Sequence, residues 1–147
     1  MRLLNVSTLR IHTFVSDVPP YATLSHLWGK AELSFEEMEN LDSRPGVRTS
    51  EGFNKIKNLC REVRSRSLSW VWTDTCCLDR RNPSELSEAV NSWYRWFQQA
   101  VICLVHLPDV EPGLGHVTHF ASSSWFTRGW TLQELLAPKA LIFFDAK

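Results

Sequence analysis

The segment from Ser124 to Pro138 combines an indole and a carboxylate at a spacing that could do chemistry. If the residues after its loop are helical, Trp130 and Glu134 lie four positions apart and share one helix face. An indole beside a carboxylate is suited to holding a flat, cationic ligand. Pro138 ends that helix, because proline cannot continue it. The structural alternatives are that the indole fills a gap under a loop and that Glu134 is the capping-box partner of Thr131.

Further polar and aromatic residues fall where predicted strands end. In an open α/β sheet, ligands bind beyond the carboxyl ends of the parallel strands. Ser25 and His26 end one predicted strand, and Asp74 follows the next. The candidate binding residues at this edge and in the segment above are Ser25, His26, Trp28, Gly29, Asp74, Cys76, Asp79, Trp125, Arg128 and Trp130.

Several residues of this edge also have a purely structural interpretation. Asp74 and Asp79 are equally suited to cap turns. Gly29 is typical of a turn that needs conformational freedom. Arg80 and Arg81 are typical of solvated surface side chains. The sequence alone leaves these alternatives open.

The chain alternates strand and helix patterns, which favours a parallel sheet with right-handed crossovers and helices on both faces. Apolar and β-branched runs predict the strands, and helical spacing after N-cap residues predicts the helices. Two short pieces, residues 3–6 and 9–14, are consistent with an N-terminal β-hairpin. The main strands, Tyr21–His26, Ser69–Thr73, Val101–Val105 and Ala140–Phe144, are predicted to lie in the order 2-1-3-4.

Two sets of residues follow from this arrangement. Neighbouring parallel strands should carry Leu24, Val71, Ile102 and Ile142. Helical spacing after Asn82 and Pro83 predicts one apolar face on the second long helix. That buried face should contain Val90, Trp93 and Phe97.

Composition excludes several classes of partner. The 147 residues carry 16 basic and 16 acidic side chains, and no basic block that would bind a nucleic-acid backbone. No apolar run is long enough to span a membrane, and the N-terminus has no secretory signal pattern. Cysteine usage without C-x-x-C pairs favours buried thiols in a reducing compartment. We therefore expect a single cytoplasmic domain that contacts neither nucleic acid nor membrane.

The motifs for metals and common nucleotide folds are missing from the sequence. His116 and His119 stand three residues apart, but no cysteine or acidic ligand set completes a zinc site. Gly113 and Gly115 lack the third glycine of a dinucleotide-binding loop, and there is no P-loop. We expect no metal and no bound cofactor.

Asp145, after the last predicted strand, adds one carboxylate to the carboxyl edge of the predicted sheet.

Four blocks of the sequence resemble the fungal heterokaryon incompatibility (HET) domain. The blocks occur in order and cover nearly the whole chain. The resemblance implies a protein that triggers programmed cell death when genetically different hyphae fuse. It also implies one domain over residues 1–147, followed by further regions of a longer protein. The blocks are Tyr21–Gly29, Val71–Asp79, Glu85–Ser92 and Trp125–Pro138.

A more distant resemblance is to Toll/interleukin-1 receptor (TIR) domains, and it implies a TIR-like, flavodoxin-like sheet. Trp130, Glu134 and Leu135 match the Trp-x-x-x-Glu-Leu helix of plant TIR domains. Arg128 stands where those domains have serine, and Thr131 where they have cysteine. In catalytic TIR domains this glutamate serves the cleavage of NAD⁺ between nicotinamide and ribose. We expect this chain to form a homo-oligomer when it is active. The resemblance thus implies Glu134 as catalytic residue and NAD⁺, or a related nucleotide, as substrate.

Two functions remain open at this point. The first is an NAD⁺ glycohydrolase that becomes active on assembly. The second is a non-catalytic module whose surfaces make homotypic contacts and pass on a death signal. Many TIR-like domains are adaptors, so the fold alone does not choose between them. A glutamate on a helix that faces a cleft favours the enzyme.

Overall fold

The computed structural model describes residues 1–110 and 120–144, and their fold is mixed α/β. The strands are β1 Arg2–Asn5, β2 Ile11–Thr13, β3 Ala22–His26, β4 Trp70–Trp72, β5 Ile102–His106 and β6 Leu141–Phe144. The helices are α1 Phe35–Glu39, α2 Glu51–Ser65, α3 Pro83–Gln99 and α4 Thr131–Leu136. Short 3-10 helices cover Pro45–Thr49 and Ser124–Thr127.

The sheet is six-stranded and mostly parallel, in the order β2-β1-β4-β3-β5-β6. This order differs from the predicted four-strand order because the N-terminal hairpin is part of the sheet: β1 pairs antiparallel with both β2 and β4. The strands β4, β3, β5 and β6 are neighbours in that order and parallel. Leu24, Val71, Ile102 and Ile142 lie on them, as predicted.

Helices cover both faces of the sheet. Side chains alternate between faces along a strand, and residues in register on neighbouring strands share a face. Trp72 is in register with Thr23 and packs edge-to-face on Trp93 of α3. Leu24, the next residue along β3, borders a cavity together with Leu59 of α2. The helices α2 and α3 therefore lie on opposite faces, and α4 packs beside α3.

Three of the four helices that the structure describes, α1, α2 and α3, begin with a side-chain N-cap. Ser34 and Glu37 form a reciprocal capping box at the start of α1. The Ser50 side chain accepts a hydrogen bond at the start of α2. Asn82 accepts two backbone N–H bonds at the start of α3, and Pro83 occupies its first helical position.

The core beneath α3 is aromatic, and one predicted member is not part of it. Trp72, Trp93 and Phe97 pack around one another and are buried. Val90 was predicted to lie on this buried face, but its side chain is 41% exposed. The prediction was wrong for Val90 because it lies toward the edge of the apolar face, where it borders a cleft.

All four cysteines are buried free thiols, as the sequence predicted: Cys60, Cys76, Cys77 and Cys103. Burial raises the pKa of Cys60 to about 12 and that of Cys103 to about 12, so both thiols are inert at neutral pH. Within residues 1–110 and 120–144, no helix is both long enough and apolar enough to cross a bilayer.

Candidate functional site

The side chain of Glu134 points from α4 toward the carboxyl end of β3. Its Oε2 accepts a hydrogen bond from the Ser25 hydroxyl at 2.5 Å, and its Oε1 accepts one from Arg128 Nη2 at 2.7 Å. The Ser25 oxygen in turn accepts a hydrogen bond from Trp125 Nε1 at 2.7 Å. Glu134 is only 2% exposed. These four residues, Ser25, Trp125, Arg128 and Glu134, form what we call the buried glutamate cluster.

The surroundings of Glu134 favour the protonated form of its carboxyl group. Burial raises the pKa of Glu134 above its ordinary value, because desolvation penalises the charged form. The hydrogen bond from Ser25 and the charge of Arg128 act in the opposite direction but do not cancel the effect of burial. A carboxylate whose pKa is raised by burial is typical of catalytic sites, although structural pairs show the same shift.

Arg128 covers the carboxylate from the solvent side. Its guanidinium donates one hydrogen bond to Glu134 and another to the main-chain oxygen of His26. Arg128 borders a surface cleft, whereas Glu134 does not, so the carboxylate does not face the cleft as expected from the sequence. The Arg128 side chain is 25% exposed. Access to the carboxylate from the cleft therefore requires the guanidinium to move.

The cleft outside Arg128 has a volume of about 310 Å³, within the usual range for small-molecule sites. In its wall, Trp130 stacks on Trp93, with ring centroids 5.3 Å apart and planes inclined by 29°. The guanidinium of Arg80 lies 3.9 Å from the ring centroid of Trp28. The cleft thus combines indole faces with guanidinium groups; its polar and aromatic walls are Trp28, Asp74, Arg80, Trp93, Arg128 and Trp130.

Asp74 organises the strand ends around this cleft. Its Oδ1 lies 3.2 Å from His26 Nε2, and its Oδ2 accepts hydrogen bonds from Trp28 Nε1 and Arg80 Nη2, both at 3.0 Å. Burial by itself would raise the pKa of Asp74, yet the hydrogen bond and charge of His26, together with Arg80 and Trp28, hold it below its usual range. Asp74 is therefore ionised, and both of its carboxylate oxygens have polar partners within the domain.

Trp130 and Glu134 are one helical turn apart, as their spacing predicted, since the Glu134 N–H donates to the main-chain oxygen of Trp130, but their side chains make different contacts. Trp130 is the N-cap residue of α4 rather than part of it, and its ring turns toward Trp93. Glu134 points inward to Ser25. The capping-box alternative does not apply either, because the Thr131 hydroxyl donates to the main-chain oxygen of Trp125.

Three predicted binding residues lie away from the cleft. Cys76 is fully buried in the hydrophobic core, because the turn after β4 folds its side chain inward. Asp79 accepts hydrogen bonds from the backbone and side chain of Arg81, so it caps a turn. Gly29 borders the cavity beside α2, on the other side of the loop that follows β3. The remaining candidates belong to the buried glutamate cluster, the cleft or the Asp74 network.

Four residues of the cleft wall were not predicted from the sequence to belong to a site: Arg80, Leu86, Val90 and Trp93. Arg80 is solvent-exposed, as expected, but it also binds Asp74 and lies over the ring of Trp28. Trp93 was predicted to be a core residue, and it is also the surface on which Trp130 stacks. The position of Arg80, six residues after Asp74 in a loop, gave no periodic signal.

Residues 1–110 and 120–144 contain no group of three or more histidine, cysteine or acidic side chains placed to hold a metal ion. The candidate residues His116, His119 and Asp145 lie outside the described residues. The glycines at 113 and 115 lie outside them as well.

Comparison with known proteins defines the class. The family model "Heterokaryon incompatibility protein (HET)" matches residues 21–116, and the chain belongs to this family. It is 42% identical over 136 residues to "Vegetative incompatibility protein HET-E-1" of Podospora anserina. The match covers 87% of this chain but only 10% of that relative. No solved structure matches the chain.

Proposed function

We propose that this HET domain is a cell-death effector that cleaves NAD⁺ between nicotinamide and ribose, with Glu134 as its catalytic residue. Membership in the heterokaryon incompatibility family supports the biological role. The resemblance of Trp130, Glu134 and Leu135 to the TIR helix supports the reaction. The observation that carries the proposal is a buried carboxylate, held by Ser25 behind a cleft of indoles and guanidinium groups at the carboxyl edge of a parallel sheet.

The chemistry needs little besides a well-placed carboxylate. The bond between ribose C1′ and the nicotinamide nitrogen breaks, and its electron pair neutralises the pyridinium as nicotinamide leaves. The ribose then resembles an oxocarbenium ion, which Glu134 stabilises with its negative charge. Water adds to C1′ and loses a proton, giving ADP-ribose. The Ser25 hydroxyl fixes the orientation of the carboxylate through its hydrogen bond.

The cleft offers partners for the rest of the substrate. The indole faces of Trp28 and Trp130 suit flat bases, since aromatic rings stack on them. The guanidinium of Arg128 suits the diphosphate, because arginine binds phosphate oxygens in a bidentate way. In this arrangement Arg128 exchanges the Glu134 carboxylate for a substrate phosphate, and that exchange opens the site.

Association of two copies of the domain would favour the release of Arg128 from the Glu134 carboxylate. Leu132 and Leu136 lie four residues apart on α4 and are 64% and 63% exposed, so this short helix presents an apolar strip to the outside. We place a second copy of the domain on that strip, where it would shift the loop that carries Arg128. Activity is then expected from a homo-oligomer. Buried free thiols are consistent with action in the cytoplasm.

The test is NAD⁺ consumption by concentrated protein, followed as nicotinamide release by chromatography. The Glu134→Gln variant keeps the shape of the side chain and removes the charge, and we expect it to lose at least about 100-fold in rate. Glu88→Gln, on the exposed face of α3, is the matched control and should retain full activity. Equal rates for the two variants would refute the catalytic role of Glu134.

One observation favours a second candidate function, a non-catalytic homotypic signalling module. Both oxygens of Glu134 are hydrogen-bonded and the residue is sealed behind Arg128, as in a purely structural polar cluster. In that case the exposed Leu132 and Leu136 carry the function. Cell killing by expressed protein separates the two: the module predicts killing by Glu134→Gln but not by Leu132→Asp, whereas the enzyme predicts that both substitutions abolish it.

A further inference from the structure

A second cavity, of about 470 Å³, lies on the α2 face of the sheet. Leu24 of β3, His106 of β5 and Leu59 of α2 contribute to its walls. The connection after β3 runs to β4 on one side, and β5 lies on the other side, so the chain reverses its direction of winding between β3 and β5. This reversal is the place where open α/β sheets bind their ligands.

This cavity is separate from the Glu134 cleft. Ser25 points to the α4 side of the sheet, whereas Leu24 faces α2. Trp28 is the wall that the cavity and the cleft share, because the loop after β3 runs between them. A ligand in the cavity therefore occupies space that the proposed NAD⁺ reaction does not use.

A close contact between Gly52 and the loop after β3 fixes one wall of this cavity. Gly52, in the first turn of α2, lies against the loop after β3: a Cβ at this position would come within 2.5 Å of the Ala31 carbonyl oxygen and 2.6 Å of Leu33 N. Only glycine permits that approach. The loop is thus held against the N-terminal end of α2, and Gly52 and Ala31 both border the cavity.

The charges around the cavity disfavour an anionic ligand. Lys55 Nζ lies 2.7 Å from Glu32 Oε1 and 3.2 Å from the Leu27 main-chain oxygen, so its charge is already paired. Glu51 adds a second carboxylate to the wall. A phosphate group in the cavity would therefore lie near the carboxylates of Glu32 and Glu51 and near the Lys55 ammonium group, which is already paired with Glu32.

The remaining walls suit a flat, uncharged heterocycle. Leu24, Leu59 and Phe144 provide apolar surface. Asn54 and Asn58 lie four residues apart on α2, so their amides line one side of the cavity. Both asparagines are solvent-exposed at the rim of the cavity, and neither amide has a hydrogen-bond partner among the residues that the structure describes. A primary amide offers a donor beside an acceptor, which is the pattern that pairs with the N6 and N7 edge of adenine.

We propose that this cavity binds an adenine-type base or nucleoside that carries no phosphate. The base lies between the apolar walls, with its donor and acceptor edge on Asn54 and Asn58. This site goes beyond the proposed NAD⁺ reaction, and its test does not depend on catalysis.

Adenosine is the probe, and its binding to the whole domain is measured by calorimetry. We expect saturable binding by the unmodified protein, weakened about fivefold or more in Asn58→Leu by the loss of its hydrogen bonds. Lys57→Leu, the neighbouring exposed position outside the cavity, should bind like the unmodified protein. Asn54→Leu provides a second variant in case Asn58→Leu does not fold.

Two further arms locate the ligand and test its charge. Adenosine monophosphate should bind at least about tenfold more weakly than adenosine, because of the carboxylates in the wall. Trp130→Ala, which alters the other cleft, should retain the adenosine binding that the asparagine variants lose. The proposal is overturned if adenosine does not bind, if the monophosphate binds equally well, or if binding is lost in Trp130→Ala but kept in both asparagine variants.

Discussion

Arg128 Nη2 lies 2.7 Å from Glu134 Oε1, and the same guanidinium holds the main-chain oxygen of His26 at the end of β3. The residue that closes off the carboxylate is thus tied to the strand that delivers Ser25 to it. A pair of this kind couples three parts of the chain: β3, the loop before α4, and α4 itself. In this structure the domain is closed around its candidate catalytic group.

The coupling between Arg128 and Glu134 is measurable in a double-mutant cycle. Removal of one partner leaves the other charge poorly compensated, so Arg128→Ala and Glu134→Gln should together be less destabilising than the sum of the two single substitutions. We expect a coupling free energy of about 1–3 kcal/mol from denaturant unfolding, since the pair is partly buried. The exposed pair Arg48 and Asp42 provides the control cycle, with a coupling within experimental error. Equal couplings for the two pairs would contradict the closed arrangement.

The pH dependence of stability follows from the raised pKa of Glu134. A carboxyl group with a raised pKa in the folded state favours folding when it is protonated, and this contribution is lost as pH rises through the folded-state pKa. Wild type should therefore gain stability relative to Glu134→Gln as pH falls from neutral toward the ordinary pKa of glutamate. Thermal unfolding of both proteins across that range is the measurement. A difference in Tm that stays constant with pH would show that Glu134 does not titrate there with a raised pKa.

The elements of the fold were predictable because their signals are local. Short apolar runs such as Val101–Val105 mark buried strands, and Ser50 and Asn82 mark helix starts within one turn. The pairing of β1 with β4 joins residues more than sixty positions apart, and no local pattern encodes it. The sequence therefore predicted a hairpin but not its place at the edge of the sheet.

The sequence predicted which residues belong to the candidate site better than it predicted the directions of their side chains. Ser25, His26 and Asp74 follow from strand ends, which a parallel topology brings to one edge. The side-chain directions of Trp130 and Glu134 depend on where α4 begins, and helix boundaries shift by a residue or two. The turn of Arg128 onto Glu134 required a loop conformation that has no sequence periodicity.

Truncation of Trp93 tests the aromatic core beneath the cleft. Trp93 packs on Trp72, Phe97 and Trp130, so Trp93→Ala leaves a large cavity and removes a wall of the cleft. We expect a loss of about 3–5 kcal/mol in the free energy of unfolding, measured with urea. Tyr94→Ala is the control, because this neighbouring aromatic residue is 46% exposed, whereas Trp93 is 5% exposed. A similar loss for both variants would contradict the orientation of α3.

The contact at Gly52 is tested with a pair of glycine-to-alanine substitutions. Gly52→Ala places a methyl group against the backbone of residues 31–33, which cannot yield without moving the loop. We expect it to cost about 1–3 kcal/mol in the free energy of unfolding. Gly46→Ala meets nothing within 4 Å, so its stability should be unchanged or slightly higher, because alanine restricts the unfolded chain. Adenosine binding should be weakened in the Gly52 variant and intact in the Gly46 variant. If both variants unfold at the same urea concentration, the loop does not pack on α2 as described.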